Sequence, residues 1–257
     1  MGKKSFLFIS PHLDDAVFSC GGYIGKLCAL GHPVMVLTLF SGSPAGKLSL
    51  LARALHVDWN LPKDAAAIRR EEDKQALGAL GAEALHAGFL DCIYRRDRMS
   101  GKPVYSRLGQ ILRQESVEET QLIEEVAEYL GDVLQEGRYQ HTFAPLGLGG
   151  HVDHLITHAA ARLAQSKCPR TRFFFYEDLP YAISDAPGDE RTRGMRSFSC
   201  IRRDGSAQKC AAMNQYVSQV KSPHYSGGID IAAIARYGMD FKNKPGALTE
   251  RVWYSIH

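Results

Sequence analysis

The sequence has no apolar run that approaches the roughly 20 residues of a membrane-spanning helix. Its net charge of +3 is too small to indicate a surface for nucleic acid or for a membrane. The six cysteines include no Cys-x-x-Cys pair, so we expect buried free thiols in a reducing compartment. The apolar stretch after Lys3 and Lys4 is too short for a signal peptide. We therefore predict a cytoplasmic protein with no membrane insertion and no nucleic-acid partner, and no oligomeric state is predicted.

Short apolar runs alternate with amphipathic segments along most of the 257 residues. This alternation predicts an α/β fold, a Rossmann-like and mostly parallel sheet with helices on both faces. We expect one domain over 1–257, with an α/β core at 1–165 and a C-terminal extension at 166–257 that adds short strands. Strands are predicted at 6–9, 34–40, 85–90, 141–145, 173–176, within 191–201 and at 251–256, and helices at 64–81, 117–136, 155–165 and within 206–220.

A polar motif stands where the first predicted strand ends. The segment Ser10-Pro11-His12-Leu13-Asp14-Asp15 follows the apolar run at 6–9 and precedes residues with apolar side chains at helical spacing. One imidazole and two adjacent carboxylates therefore lie at a strand-to-helix turn. Ligands of open α/β sheets bind just outside the carboxyl ends of the strands, so this turn is a candidate functional site.

A second polar cluster, Gly150-His151-Val152-Asp153-His154, follows the predicted strand at 141–145. Catalytic zinc takes three protein ligands from histidine and carboxylate side chains and keeps a fourth position for water. His12, Asp15 and His154 supply such a set, because parallel strands present their carboxyl ends at the same edge of a sheet. The sequence therefore predicts that the two clusters are the halves of one metal site.

The other polar residues of the two clusters have chemical roles open to them. Asp14, next to the predicted ligand Asp15, is a candidate general base that takes a proton from water. His151 is a candidate hydrogen-bond donor to a developing oxyanion. Asp153 is a candidate for holding one of the imidazoles in the required tautomer.

Each cluster by itself also has an ordinary structural explanation. Adjacent aspartates at the start of a helix commonly cap it and complement its dipole, and a His-x-x-His pair on a helix is often a solvated surface pair. The occurrence of both clusters at strand ends in one α/β chain favours the metal site. The polar segment 91–115 is expected to be functional or mobile. Its run Arg95-Arg96-Asp97-Arg98 is most simply solvated, with contact to an anionic substrate as the alternative.

Taken together, these motifs resemble those of the PIG-L or LmbE-like zinc N-deacetylases. The resemblance is carried by the segments 11–15 and 150–154, although Leu13 stands where the family usually has the proline of His-Pro-Asp-Asp. The segment Arg69-Arg70-Glu71-Glu72-Asp73 resembles the family's Arg-x-x-Glu helix, and further matches at 144–147 and 176–181 extend the resemblance through most of the chain.

The resemblance implies the same assignments: zinc on His12, Asp15 and His154, Asp14 as the base, and His151 as the partner of the oxyanion or leaving group. It also implies that an arginine and an aspartate position the sugar. Arg69 and Asp91 are the candidates for these two roles, and an i,i+3 pair with Glu72 is the structural alternative for Arg69. Zinc is the expected metal, and another divalent ion such as Fe²⁺ also suits these ligands.

The functional prediction is a zinc-dependent N-deacetylase. It would hydrolyse the acetamide of a small molecule that contains N-acetylglucosamine, releasing acetate and the free amine. Two alternatives stay open at this point: a hydrolase that uses the same site on a different N-acyl amide or ester, and a metal-binding or carbohydrate-binding domain without turnover.

Overall fold

Seven strands form one sheet in the part of the chain that this computed structural model describes, residues 2–61, 64–112, 119–184, 188–202, 205–222, 229–237 and 248–255. The strands are β1 (Phe6–Ser10), β2 (Val34–Thr38), β3 (Glu83–His86), β4 (His141–Pro145), β5 (Arg172–Tyr176), β6 (Met195–Arg202) and β7 (Leu248–Ser255). Their order in the sheet is β3-β2-β1-β4-β5-β7-β6.

The sheet is mostly parallel, as predicted. Strands β3, β2, β1, β4 and β5 pair in parallel, whereas β7 pairs antiparallel with both β5 and β6. Strand β1 lies between β2 and β4, and each of its five residues is buried. The order of the strands reverses between β1 and β4, and such a reversal opens a crevice at the carboxyl ends of the two strands.

Helices pack in two groups on the two faces of the sheet, which confirms the predicted Rossmann-like architecture. One group contains α1, α3 and α8, and the other contains α5 and α6. The helices are α1 (Asp15–Ala29), α2 (Leu50–Asp58), α3 (Ala65–Leu80), α4 (Leu108–Ile111), α5 (Thr120–Gly137), α6 (Val152–Lys167), α7 (Asp189–Thr192), α8 (Gly205–Met213), α9 (Val217–Val220) and α10 (Ile231–Tyr237). Within the described ranges, none of them is long and apolar enough to span a membrane.

The third strand is shorter than predicted and begins earlier. It covers Glu83–His86, whereas the apolar pattern predicted a strand at 85–90. Gly88 has a φ of 83°, which takes the backbone out of the extended conformation. The next amide, that of Phe89, donates to the carbonyl of Leu39 beyond the end of β2. The chain therefore turns across the carboxyl end of β2 instead of extending β3.

The segment between the predicted strand at 34–40 and the predicted helix at 64–81 contains the helix α2. Ser49 caps it, because the Ser49 hydroxyl accepts a hydrogen bond of 3.0 Å from the amide of Ala52. Leu55 and Trp59 pack with Ile93 and Ile111 in a small apolar cluster that is separate from the main core. This cluster forms one wall of the pocket described below.

Candidate metal centre

The local folding of the first motif depends on side chains that bond to the backbone at the end of β1. The Ser10 hydroxyl donates to the carbonyl of His12 at 2.6 Å and accepts from the amide of Ala16 at 3.0 Å. Asp15, the first residue of α1, accepts from the amide of His12 at 2.8 Å. These bonds bend the chain between strand and helix, so that the side chains of His12, Asp14 and Asp15 all line one pocket.

The structure brings the three predicted metal ligands together. The Oδ2 atom of Asp15 lies 3.1 Å from Nδ1 of His12 and 3.2 Å from Nε2 of His154. The centroids of the two imidazole rings are 5.3 Å apart. Residues 142 positions apart in the chain therefore present one carboxylate oxygen and two ring nitrogens to the same small volume.

Each of the two imidazoles also contacts a second carboxylate through its other nitrogen. Nε2 of His12 lies 3.0 Å from Oδ2 of Asp153, and Nδ1 of His154 lies 2.6 Å from Oδ1 of Asp178. Both of these carboxylates are fully buried. Histidines that bind metals almost always donate their other ring N–H to such a partner, which fixes the tautomer and the orientation of the ring.

The residues fit a divalent metal ion. Nε2 of His154 is buried and finds no hydrogen-bond partner of good geometry among the described residues, although the Asp15 oxygen is only 3.2 Å away. Nε2 of His154 and Oδ2 of Asp15 are therefore close enough to bind the same metal ion. Two imidazole nitrogens and one carboxylate oxygen make up a ligand set of catalytic zinc sites. Two other sets of described residues have possible ligand atoms within 4.8 Å of one another, namely His12, His151 and His154, and His12, Asp91 and Asp153. Nδ1 of His151 and Oδ2 of Asp153 already accept backbone amides, those of Asp153 at 3.2 Å and of Cys92 at 3.0 Å.

The two adjacent aspartates differ in their charge state. Burial raises the pKa of Asp14, and the neighbouring Asp15 carboxylate raises it further, to about 7, against the opposing effect of Arg69. Burial also acts on Asp15, but there His154 and His12 outweigh it and hold the pKa well below its usual range. Asp15 is therefore ionised, as a metal ligand must be, whereas Asp14 can exchange a proton near neutral pH.

His151 is a neutral imidazole with a defined tautomer. Burial and the neighbouring His12 hold its pKa well below the ordinary value. Its Nδ1 accepts from the amide of Asp153 and caps α6, so the proton of the neutral ring is on Nε2. His151 lines the same pocket as Asp14. It can therefore donate a hydrogen bond from Nε2.

The pocket combines a polar floor with an apolar wall in a cavity of about 130 Å³. Both predicted substrate-binding residues, Arg69 and Asp91, line it. The Arg69 guanidinium lies 4.8 Å from the centre of the Trp59 ring, and its Nη2 is 3.5 Å from Oδ2 of Asp14. Asp91 caps the short helical turn Cys92–Tyr94 by accepting the amide of Ile93. The apolar wall consists of Leu55, Trp59, Ile93, Leu108, Ile111, Leu112 and Ile229.

Two residues of the centre lie outside the predicted set. Asp178 lies two residues after the end of β5, and its position after a predicted strand was a signal that could have identified it. Arg95 gave no such signal, because its arginine-rich run was interpreted as solvated. The prediction of a solvated side chain is wrong for Arg95. This residue is 9% exposed, and its Nη1 atom lies 2.6 Å from Oδ1 of Asp153.

Comparison with known proteins places the chain among deacetylases. The family model for PIG-L, described as GlcNAc-PI de-N-acetylase, matches residues 7–165. The chain belongs to the PIG-L family. It is 30% identical over 194 residues to a 2'-N-acetylparomamine deacetylase of Niallia circulans, an alignment that covers 70% of this chain and 68% of the relative. It is 34% identical over 223 residues to the 2'-N-acetylparomamine deacetylase of Streptomyces fradiae, covering 83% and 72%.

Solved structures of other PIG-L family deacetylases share the whole fold. The zinc-inhibited form of a teicoplanin deacetylase aligns with a TM-score of 0.85 and 29% identity, covering 97% of each chain. A deacetylase of the A40926 pseudoaglycone aligns with a TM-score of 0.81 and 27% identity, covering 98% of this chain and 97% of the other. The resemblance noted in the sequence is thereby confirmed, and the chain is a hydrolase that acts on amide C–N bonds.

Proposed function

We propose that this PIG-L family member is a zinc-dependent N-deacetylase. It hydrolyses the acetamide of a small molecule that contains N-acetylglucosamine, and the products are acetate and a free amine. One observation carries the proposal: Oδ2 of Asp15 lies between Nδ1 of His12 and Nε2 of His154, in a pocket that Asp14 and His151 also line. The named relatives, deacetylases of N-acetylparomamine and of teicoplanin, support an acetylated amino sugar as the substrate.

His12, Asp15 and His154 would hold the ion. When bound, zinc supplies a Lewis acid that polarises the amide carbonyl and lowers the pKa of water toward 7. Asp14 accepts a proton from the attacking water, whose oxygen forms a bond to the carbonyl carbon. His151 donates a hydrogen bond from Nε2 to the oxyanion that develops on the former carbonyl oxygen. The C–N bond then breaks as Asp14 returns the proton to the leaving nitrogen.

The sugar is bound by the polar groups next to this centre. Arg69 donates to hydroxyl groups of the sugar, with its guanidinium held against the ring of Trp59. Asp91 accepts hydrogen bonds from the sugar on the side of His12, where its Oδ2 atom lies 3.9 Å from Nε2 of that ring. The apolar wall is left for the remainder of the substrate, beyond the acetamide and the polar face of the sugar.

The decisive experiment is the substitution Asp14→Asn, with zinc content and amine release measured on the same protein. The amide preserves the shape of the side chain but cannot accept the proton, so turnover should fall by about 10²–10⁴-fold while zinc is retained. Asp97→Asn, which changes an exposed carboxylate outside the pocket, is the matched control and should leave both quantities unchanged. Turnover that survives in Asp14→Asn would refute the mechanism.

The alternative of a different acyl group is tested with one glucosaminide that carries N-acetyl, N-butyryl or N-hexanoyl groups. A deacetylase should show the highest kcat/KM for the acetyl compound. A kcat/KM that rises with the length of the acyl chain would contradict the proposed specificity, without affecting the assignment of Asp14.

A further inference from the structure

Asp153 contributes to the centre through His12. It is fully buried, on the Nε2 side of the His12 ring. Its Oδ2 atom contacts Nε2 of His12 at 3.0 Å and accepts the amide of Cys92, also at 3.0 Å. A buried carboxylate without a positive partner is costly, so the charge of Asp153 must be balanced from nearby.

Arg95 supplies that balance. Its Nη1 atom lies 2.6 Å from Oδ1 of Asp153, and its Nη2 donates to Oε2 of Glu119 at 2.8 Å. The guanidinium carbon is 5.3 Å from the centre of the Phe40 ring and 5.4 Å from that of Tyr105. The position and orientation of the guanidinium are therefore set by contacts with residues other than the proposed metal ligands.

We propose that Arg95 is a positioning residue of the metal centre, acting on His12 through Asp153. By holding Oδ1 of Asp153, it fixes that side chain with its other oxygen, Oδ2, directed at Nε2 of His12 as a hydrogen-bond acceptor. The proton of the neutral His12 ring is then held on Nε2, and the lone pair of Nδ1 is left to face Asp15 and the metal. This inference rests on the metal site of the proposed function.

The arrangement also connects the segment after β3 to the metal centre. Three neighbouring residues of this segment contribute to the site. Asp91 lines the pocket, the backbone amide of Cys92 donates to Asp153, and the guanidinium of Arg95 pairs with Asp153. Placing this segment correctly therefore orients His12 and completes the pocket in the same step.

The test measures zinc affinity by competition with a chelator, so it does not depend on a substrate. Arg95→Gln should weaken zinc binding by about 10–100-fold, the range found when outer partners of ligating histidines are removed. Glu119→Gln is the matched control, because it removes the other carboxylate partner of Arg95 and leaves the contact with Asp153. It should lower the melting temperature but keep the zinc Kd within about threefold of the original. Arg95→Lys, which restores the charge, should recover part of the affinity.

A double-substitution cycle tests the route of the effect. If Arg95 acts through Asp153, Arg95→Gln should weaken zinc binding no further in an Asp153→Asn protein than Asp153→Asn does alone. Equal losses of affinity in Arg95→Gln and Glu119→Gln, or additive losses in the cycle, would overturn the inference.

A spectroscopic measurement on the unsubstituted protein keeps the proposal testable even if Arg95→Gln does not fold. In zinc-loaded protein, nitrogen NMR of the His12 ring should show the proton on Nε2, and a proton on Nδ1 would refute the proposal. Failure of the unsubstituted protein to bind a divalent ion would instead refute the metal site itself. The two failures are therefore distinguishable.

Discussion

The substitution Asp178→Asn isolates the contribution of a buried carboxylate to the proposed metal site. Asp178 contacts Nδ1 of His154 through Oδ1 at 2.6 Å, and its Oδ2 accepts the amides of Gly147 at 2.9 Å and Leu148 at 3.1 Å. An asparagine has the same shape but only one acceptor oxygen. If that oxygen faces His154, the NH₂ group opposes two backbone N–H donors.

If the oxygen of the asparagine faces the two backbone amides, its NH₂ group points at Nδ1 of His154. The ring must then accept through Nδ1 and carry its proton on Nε2, the atom proposed to bind the metal. We expect zinc affinity to fall by about 10–100-fold. We also expect a loss of unfolding free energy of about 1–3 kcal/mol, because one orientation opposes buried donors and the other replaces hydrogen bonds to a carboxylate with weaker ones to a neutral amide. For a chain of this size, each kcal/mol corresponds to a lower melting temperature by about 2–4 °C.

The two expectations are measured by chelator competition and by thermal unfolding of the metal-free protein. Glu177→Gln is the matched control, because Glu177 is the adjacent buried carboxylate, and its partners are Tyr237, Arg251 and Trp253. It should lower the melting temperature and leave zinc affinity unchanged. A folded Asp178→Asn protein that binds zinc as tightly as the original would refute the assignment of His154 Nε2 as a ligand atom.

Three further expectations concern stability and metal dependence. Tyr216→Phe removes the hydroxyl that donates to the buried Asp73 at 2.7 Å, so the free energy of unfolding in urea should fall by about 1–3 kcal/mol. An unchanged midpoint of urea unfolding would contradict this expectation. Gly42→Ala would place a Cβ atom 2.3 Å from the carbonyl oxygen of Gly88, so the free energy of unfolding should fall by about 1–3 kcal/mol in the same assay. An unchanged free energy of unfolding would show that the backbone can shift to make room for the methyl group. Chelation of the metal should abolish turnover and lower the melting temperature, since zinc at about 1,000 times its Kd stabilises the folded state by about 4 kcal/mol. A melting temperature that does not respond to added zinc would count against a folded-state site.

The sequence was sufficient to predict the centre of the sheet. Strands buried on both faces are largely apolar, and β1 covers Phe6–Ser10 where the apolar run predicted a strand at 6–9. Strand β4 covers His141–Pro145, as predicted. Helix α3 ends at Leu80, because Gly81 adopts a φ of 82° that favours glycine. The meeting of His12 with His154 was also predictable, because polar motifs that follow neighbouring parallel strands lie at one edge of the sheet. The roles of these residues stay predictions.

Only the tertiary structure decided which groups surround each residue of the candidate metal centre. Arg95 reaches the centre because the segment after β3 returns to it, and no local pattern encodes such a return. Asp14 and Asp15 are identical side chains at adjacent positions, yet the pKa of one is raised to about 7 and that of the other is lowered. The difference arises because the His154 and His12 rings face Asp15, whereas for Asp14 burial and the Asp15 charge outweigh Arg69. Charge interactions depend on distance in space, and that distance exists only once the chain has folded.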